Sequence, residues 1–124
     1  MNFGKACLTV FLMLSLLTTG VFRNADYIDE TAEHILSVLD NLPDDTDLAE
    51  GSVIILMDYW EERTDILRFT LSDASIEKVS LLFDELLISI RNGDIDEYQK
   101  TTAHLRRAVE SINELEKITL KNIF

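Results

Sequence analysis

The sequence predicts an all-α protein: an N-terminal transmembrane helix that continues into an antiparallel bundle of about four helices, readable also as two helical hairpins. Three observations predict it. An uncharged run from Ala6 to Phe22 is bounded by Lys5 and Arg23. Beyond it, apolar residues recur at steps of three and four, the period of one helix face. Short breaks that hold Pro43, Gly93 and groups of Asp and Ser divide this pattern into segments, and no alternating strand pattern competes with it.

At about 1.5 Å of rise per residue the opening run reaches about 26 Å, against roughly 30 Å of hydrocarbon core. Lys5 and Arg23 extend that reach by snorkelling, and Thr9, Ser15, Thr18 and Thr19 can bond back to helix carbonyls. A cleaved secretory signal is the competing reading, because a Leu-rich stretch from Leu8 to Leu17 follows a short positive start. Cleavage after Gly20 sets Thr18 and Gly20 at the small-residue positions; cleavage after Ala25 sets bulky Arg23 where a small side chain is needed. A buried helix of a soluble protein is the third reading. The expectation is an uncleaved anchor over residues 1–23, with the membrane contacted through residues 6–22, and one acidic helical domain over 24–124. Lys5 on one side, and Asp26, Asp29, Glu30 and Glu33 following Arg23 on the other, favour a cytoplasmic N-terminus and an extracytoplasmic domain. Cleavage would instead give a secreted protein. Cys7, the only cysteine, has no intramolecular partner and reads as a small apolar residue of the span.

From Val21 the apolar positions Ala25, Ile28, Ala32, Ile35, Leu39 and Leu42 keep one helical phase, so the anchor is expected to run straight into the first domain helix. Pro43 ends that helix near Asn41, since it disfavours helical geometry in the residue before it and cannot donate a backbone bond. Asp44, Asp45, Thr46 and Asp47 supply a turn and a choice of N-caps, with Asp47 and Glu50 spaced as a capping box. The second helix holds a dense apolar patch, Val53 to Met57 with Tyr59 and Trp60, which predicts a place at the centre of the bundle. Gly51 near its start marks an expected close helix crossing. The pattern breaks around Leu71 to Asp73, where Ser72, Asp73 and Ser75 offer new caps. It resumes through Ile76, Val79, Phe83, Leu86, Leu87 and Ile90. Asn92 and Gly93 end the third helix, Gly93 being suited to a left-handed cap. Asp94 and Glu97 form a second capping box that opens a fourth helix through Tyr98, Leu105, Val109, Ile112 and Leu115. The turns at Asp47 and Asp94 hint at an internal repeat, which fades beyond Leu48 with Ile95 and Glu50 with Glu97.

The chain carries 23 acidic and 11 basic residues, a formal net charge of −12. Every acidic residue follows Arg23, and between Asn24 and Asp65 the only basic residue is Arg63. Such a surface repels nucleic acid and anionic lipid and fits a basic partner; the same charge also keeps an exposed domain soluble.

No constellation for catalysis stands out. Asp58, Glu61, Glu62 and Asp65 lie at helical spacings that could face a hard cation, but a solvated face reads the same way and no Asp-rich calcium loop is present. His34 and His104 lack the Glu three residues before them that a di-iron bundle needs; residues 31 and 101 are both Thr. Arg106 and Arg107 could grip an anion, though pairing with Glu110 and its acidic neighbours is the expectation. Tyr59 and Trp60 form a candidate stacking platform or, more simply, part of the core. No metal, cofactor or catalytic residue is therefore expected, and the candidate interaction or ligand surface is Tyr59, Trp60, Ile123 and Phe124.

The layout resembles a known family. A short anchor, an acidic helix, an aromatic helix with Trp60, a broken segment from Thr70 to Ile76, a Gly93–Asp94 turn and the ending Leu120, Lys121, Asn122, Ile123, Phe124 are similar to the DUF4363 family. These are small bacterial single-pass helical proteins known only as a domain of unknown function. The resemblance covers nearly the whole chain. It implies an uncleaved anchor, a helical outer domain, no enzymatic activity to carry over and a membrane setting shared with multi-pass proteins. The functional expectation is a non-catalytic interaction or accessory module for another membrane protein, the alternative being an extracytoplasmic ligand-sensing domain with a pocket near Tyr59 and Trp60.

Overall fold

The computed structural model describes the backbone of residues 3–123 and the side chains of residues 7, 9–12 and 27–114. Four helices follow in order, α1 (Phe3–Asp40), α2 (Thr46–Leu67), α3 (Asp73–Arg91) and α4 (Ile95–Ile123). Each packs against its neighbours in the chain and α4 closes back on α1, which makes an antiparallel four-helix ring with a shared core. Trp60 bonding to Ser80 and Arg91 meeting Glu50 set the α2–α3 register. Arg106 pairing with Asp40 sets that of α1 and α4.

The helix borders follow local chemistry. α1 continues through 38 residues, about 57 Å, and stops at Asp40, just short of Pro43. Its phase is unbroken, as the apolar spacing from Val21 to Leu42 requires. The α2 N-cap is Asp45, whose carboxylate accepts from the Asp47 amide at 2.9 Å; the expected Asp47–Glu50 box is therefore not the cap, and Leu48 three residues after Asp45 cannot complete a box there. Ser72 caps α3 by accepting from the Ser75 amide. At the α3 terminus Gly93 takes φ +65°, its amide donating to Ile90 and that of Asp94 to Ser89. This is the paired-bond termination that a left-handed residue allows. Asp94 then accepts from the Glu97 amide at 3.1 Å, opening α4.

All four helices supply the core. Ile28, Ala32, Ile35 and Leu39 come from α1; Val53, Leu56, Trp60 and Leu67 from α2; Ile76, Val79, Phe83, Leu86 and Ile90 from α3; Tyr98, Leu105, Val109 and Ile112 from α4. The Tyr98 hydroxyl donates to the Pro43 carbonyl at 2.7 Å and so ties the start of α4 to the α1–α2 turn. Burial, with the charge of Asp44, raises the pKa of that hydroxyl above its ordinary value of 10.0.

Two expectations need correction. α2 is not the central helix, because a closed ring of four has no centre; its apolar content is divided between a buried face and exposed Leu48, Ile55 and Ile66. Gly51 marks no close crossing, as a β-carbon built there meets nothing within 4 Å. Among the described residues no helix is long and apolar enough to cross a membrane. The run expected to do so, residues 6–22, lies mostly on side chains outside the described ones.

Candidate functional site

Among the described residues the α1–α2 seam is the part richest in polar aromatic contacts. Tyr27, Thr31 and His34 recur at steps of four and three along α1, which places them on one side of the helix. Tyr59 and Arg63 do the same on α2. The Arg63 guanidinium lies over the Tyr27 ring at 4.7 Å and over the Tyr59 ring at 4.5 Å, and its Nη1 donates to the Thr31 hydroxyl at 3.3 Å. The Thr31 hydroxyl in turn donates to the Tyr27 carbonyl at 2.7 Å. His34 meets Tyr59 with ring centres 4.2 Å apart and planes tilted by 47°.

Arg63 thus sits between two negative ring faces, where a planar cation is favoured without a carboxylate partner. Burial raises the Tyr27 pKa above its ordinary 10.0; the Arg63 charge opposes this, while Tyr59, Glu30 and Glu62 add to it. The Tyr27 hydroxyl therefore stays neutral. The cluster orients α1 on α2, and its outer edge is open to solvent.

A second feature continues that edge. Leu48, Ile55, Tyr59 and Ile66 fall within about 40° of one another around the α2 axis at about 100° per residue. Leu48 is 69% exposed, Ile55 71% and Ile66 43%, so the stripe is apolar and largely uncovered. Asp58, Glu62 and Asp65 flank it on the solvent side of α2 and are exposed. Phe69, in the turn between α2 and α3, is 83% exposed.

The residues singled out from sequence separate here. Tyr59 lies in both features. Trp60 does not, being 3% exposed, with its indole donating to the Ser80 hydroxyl at 2.9 Å and its ring 6.3 Å from that of Phe83. The void beside it, between Ile28, Ile35, Leu67, Val109 and Ile112, is about 10 Å³, room for a single water at most. The Ile123 side chain and Phe124 lie outside the described residues. His34 and His104 are not brought together: the first stacks in the α1–α2 seam, the second lines a groove between α3 and α4. Among the described residues no group of three or more His, Cys, Asp or Glu is placed to hold a metal ion. Sequence reading missed Tyr27 and Arg63. Arg63, the one cation in a long acidic stretch, was the available signal.

Comparison of the chain with family models, with curated proteins and with solved structures finds no match, so the functional reading rests on the arrangement of these side chains.

Proposed function

We propose that the protein is a membrane-anchored helical bundle that works as a non-catalytic interaction module, docking an adjacent membrane protein on the outer face of α2. The observation that carries this reading is the stripe of exposed Leu48, Ile55 and Ile66, with half-buried Tyr59 among them. Single exposed apolar residues are ordinary, whereas an aligned set rimmed by polar groups marks a contact surface. The acidic border selects the partner's chemistry: a helix with an apolar face edged by Lys or Arg.

The anchored arrangement is supported by the uncharged run Ala6 to Phe22 and by its helical continuity with the bundle. Val10, Phe11 and Leu12 are all exposed; three consecutive residues span about 200° of a helix, so this stretch is apolar on more than one side. The contact of Arg63 with Thr31 sets the C-terminus of α2 toward the N-terminal part of α1. Exposed Phe69 accordingly stands at the end of the bundle nearest the proposed anchor. The domain is extracytoplasmic in this arrangement, and membership of the family of anchored helical proteins remains part of the same proposal.

The test is photocrosslinking from position 55 in intact membranes. One specific membrane-protein adduct is expected, lost when Leu48 and Ile66 are both replaced by Asp. Adducts that are diffuse, or that survive the double replacement, would sink the proposal.

A further inference from the structure

The side of the bundle away from the α1–α2 seam holds a groove of about 290 Å³ between α3 and α4, lined by Lys78, Leu82, His104, Arg107, Ala108 and Ser111. Its composition runs against that of the chain. In a molecule with twice as many acids as bases, the groove gathers three nitrogen donors and no carboxylate lines it. Three of the other described arginines are engaged, Arg91 with Glu50, Arg106 with Asp40 and Glu110, and Arg63 with two tyrosines, and the fourth, Arg68, lines a separate groove with Asp73 and Glu77. Among the described residues neither Lys78 nor Arg107 makes an ion pair.

The local cause is helical phase. His104, Arg107 and Ser111 step by three and four along α4 and share one stripe, with Lys100 one turn before them. The antiparallel packing of α3 brings Lys78 to the same groove. Arg106, one residue away, turns instead to α1 and takes up Asp40 together with Glu110, so the expected pairing of both arginines with nearby acids holds only for Arg106. The Ser111 hydroxyl donates to the Arg107 carbonyl at 2.9 Å, leaving Lys78, His104 and Arg107 as the donors. Leu82 and Ala108 give the groove an apolar floor.

We infer that this groove binds a phosphate monoester, the phosphate on Lys78, His104 and Arg107 and a short apolar body over Leu82 and Ala108. A planar guanidinium and an ammonium on one oxyanion match the double charge and three outward oxygens of a phosphate better than a single carboxylate. A phosphate of this kind could reach the groove as a soluble small molecule or as a lipid headgroup. The inference does not depend on the docking role of α2, which lies on another face.

The experiment is calorimetric titration of the detergent-solubilised full chain with phenyl phosphate, inorganic phosphate and, as an uncharged control, benzyl alcohol. Saturable binding is expected for phenyl phosphate, weaker binding for inorganic phosphate and none for the alcohol. Lys78→Gln and Arg107→Gln, both at exposed side chains, should each weaken binding by about tenfold, the scale of a lost charge-assisted contact, with circular dichroism unchanged. Arg91→Gln, on an exposed and already paired arginine, should leave it unaltered. Absence of saturable binding overturns the inference, as does an equal loss in all three variants. Titration with dihexanoyl phosphatidic acid, a dispersed lipid whose headgroup is a phosphate monoester, separates the two sources: displacement of phenyl phosphate with an affinity above that of phenyl phosphate, lost in the Arg107 variant, identifies the headgroup, and displacement with no gain in affinity identifies a soluble small molecule.

Discussion

Where α3 meets α4 the bundle is at its most extensively packed, and where α1 meets α2 it is at its least. The first seam brings Phe83, Leu86 and Ile90 of α3 and Tyr98, Leu105 and Val109 of α4 into the shared core. The second adds to its apolar share, Ile28 and Ile35 close to Trp60 and Leu67, the contacts of Arg63 between Tyr27 and Tyr59, with Thr31 and His34 beside them. Apolar burial is non-directional and scales with area. Cation–ring and hydrogen-bond contacts hold geometry while contributing less. The α3–α4 seam is therefore the more extensive of the two, and at the α1–α2 seam a few polar contacts close to the exposed stripe add to the apolar ones of the shared core in setting the orientation of α2 toward α1.

The largest effect that would break this contrast is in the core. Phe83→Ala, at a side chain 1% exposed, should cost about 3–5 kcal/mol by urea denaturation, the range for a deleted buried aromatic ring. Arg63→Ala should cost less, about 1–2 kcal/mol for two partly exposed ring contacts. It should also speed amide exchange in α1 and α2 more than in α3. An Arg63 loss equal to that of Phe83 would remove the distinction between the seams.

Tyr98→Phe sharpens the comparison at the far end, where α4 touches the α1–α2 turn, and should cost about 1 kcal/mol for the bond to Pro43. Its pH dependence has a definite sign. The folded-state pKa lies above the ordinary 10.0, so the contribution of Tyr98 is complete below pH 10.0 and is lost as pH rises through the folded value. Alkaline melting curves of the wild type should fall in that window more steeply than those of the Phe variant.

The smallest effect is a gain. Gly51→Ala meets open space and should stabilise α2 by about 0.5–1 kcal/mol through helix propensity, visible as a rise in the denaturation midpoint. A loss would show that the N-terminal turn of α2 needs the freedom of Gly.

How far these features can be read from the chain depends on the distance over which they act. Pro43, Ser72, Gly93 and the Asp94–Glu97 pair act within a few residues, and each border they announce is present. The choice of Asp45 over Asp47 as the α2 cap was less legible, because four successive candidates offer the backbone nearly the same bond. Composition carries no direction: Val53 to Met57 reads as a central helix, yet Val53 and Leu56 are buried while Ile55 faces out. Arg63 reaches Thr31 across 32 positions, and Lys78 shares a groove with Arg107. Both follow from the closed antiparallel arrangement of the ring, which no local spacing reveals.

The unbroken course of α1 from Phe3 to Asp40 couples azimuth to length. With no hinge between its first turns and the bundle, the compass direction faced by the α2 stripe is geared to the rotational setting of the N-terminal turns. Each residue inserted into α1 ahead of Tyr27 would swing the stripe through about 100° and displace it by about 1.5 Å. A full cycle of seven would nearly restore its bearing while lengthening the shaft by about 10 Å.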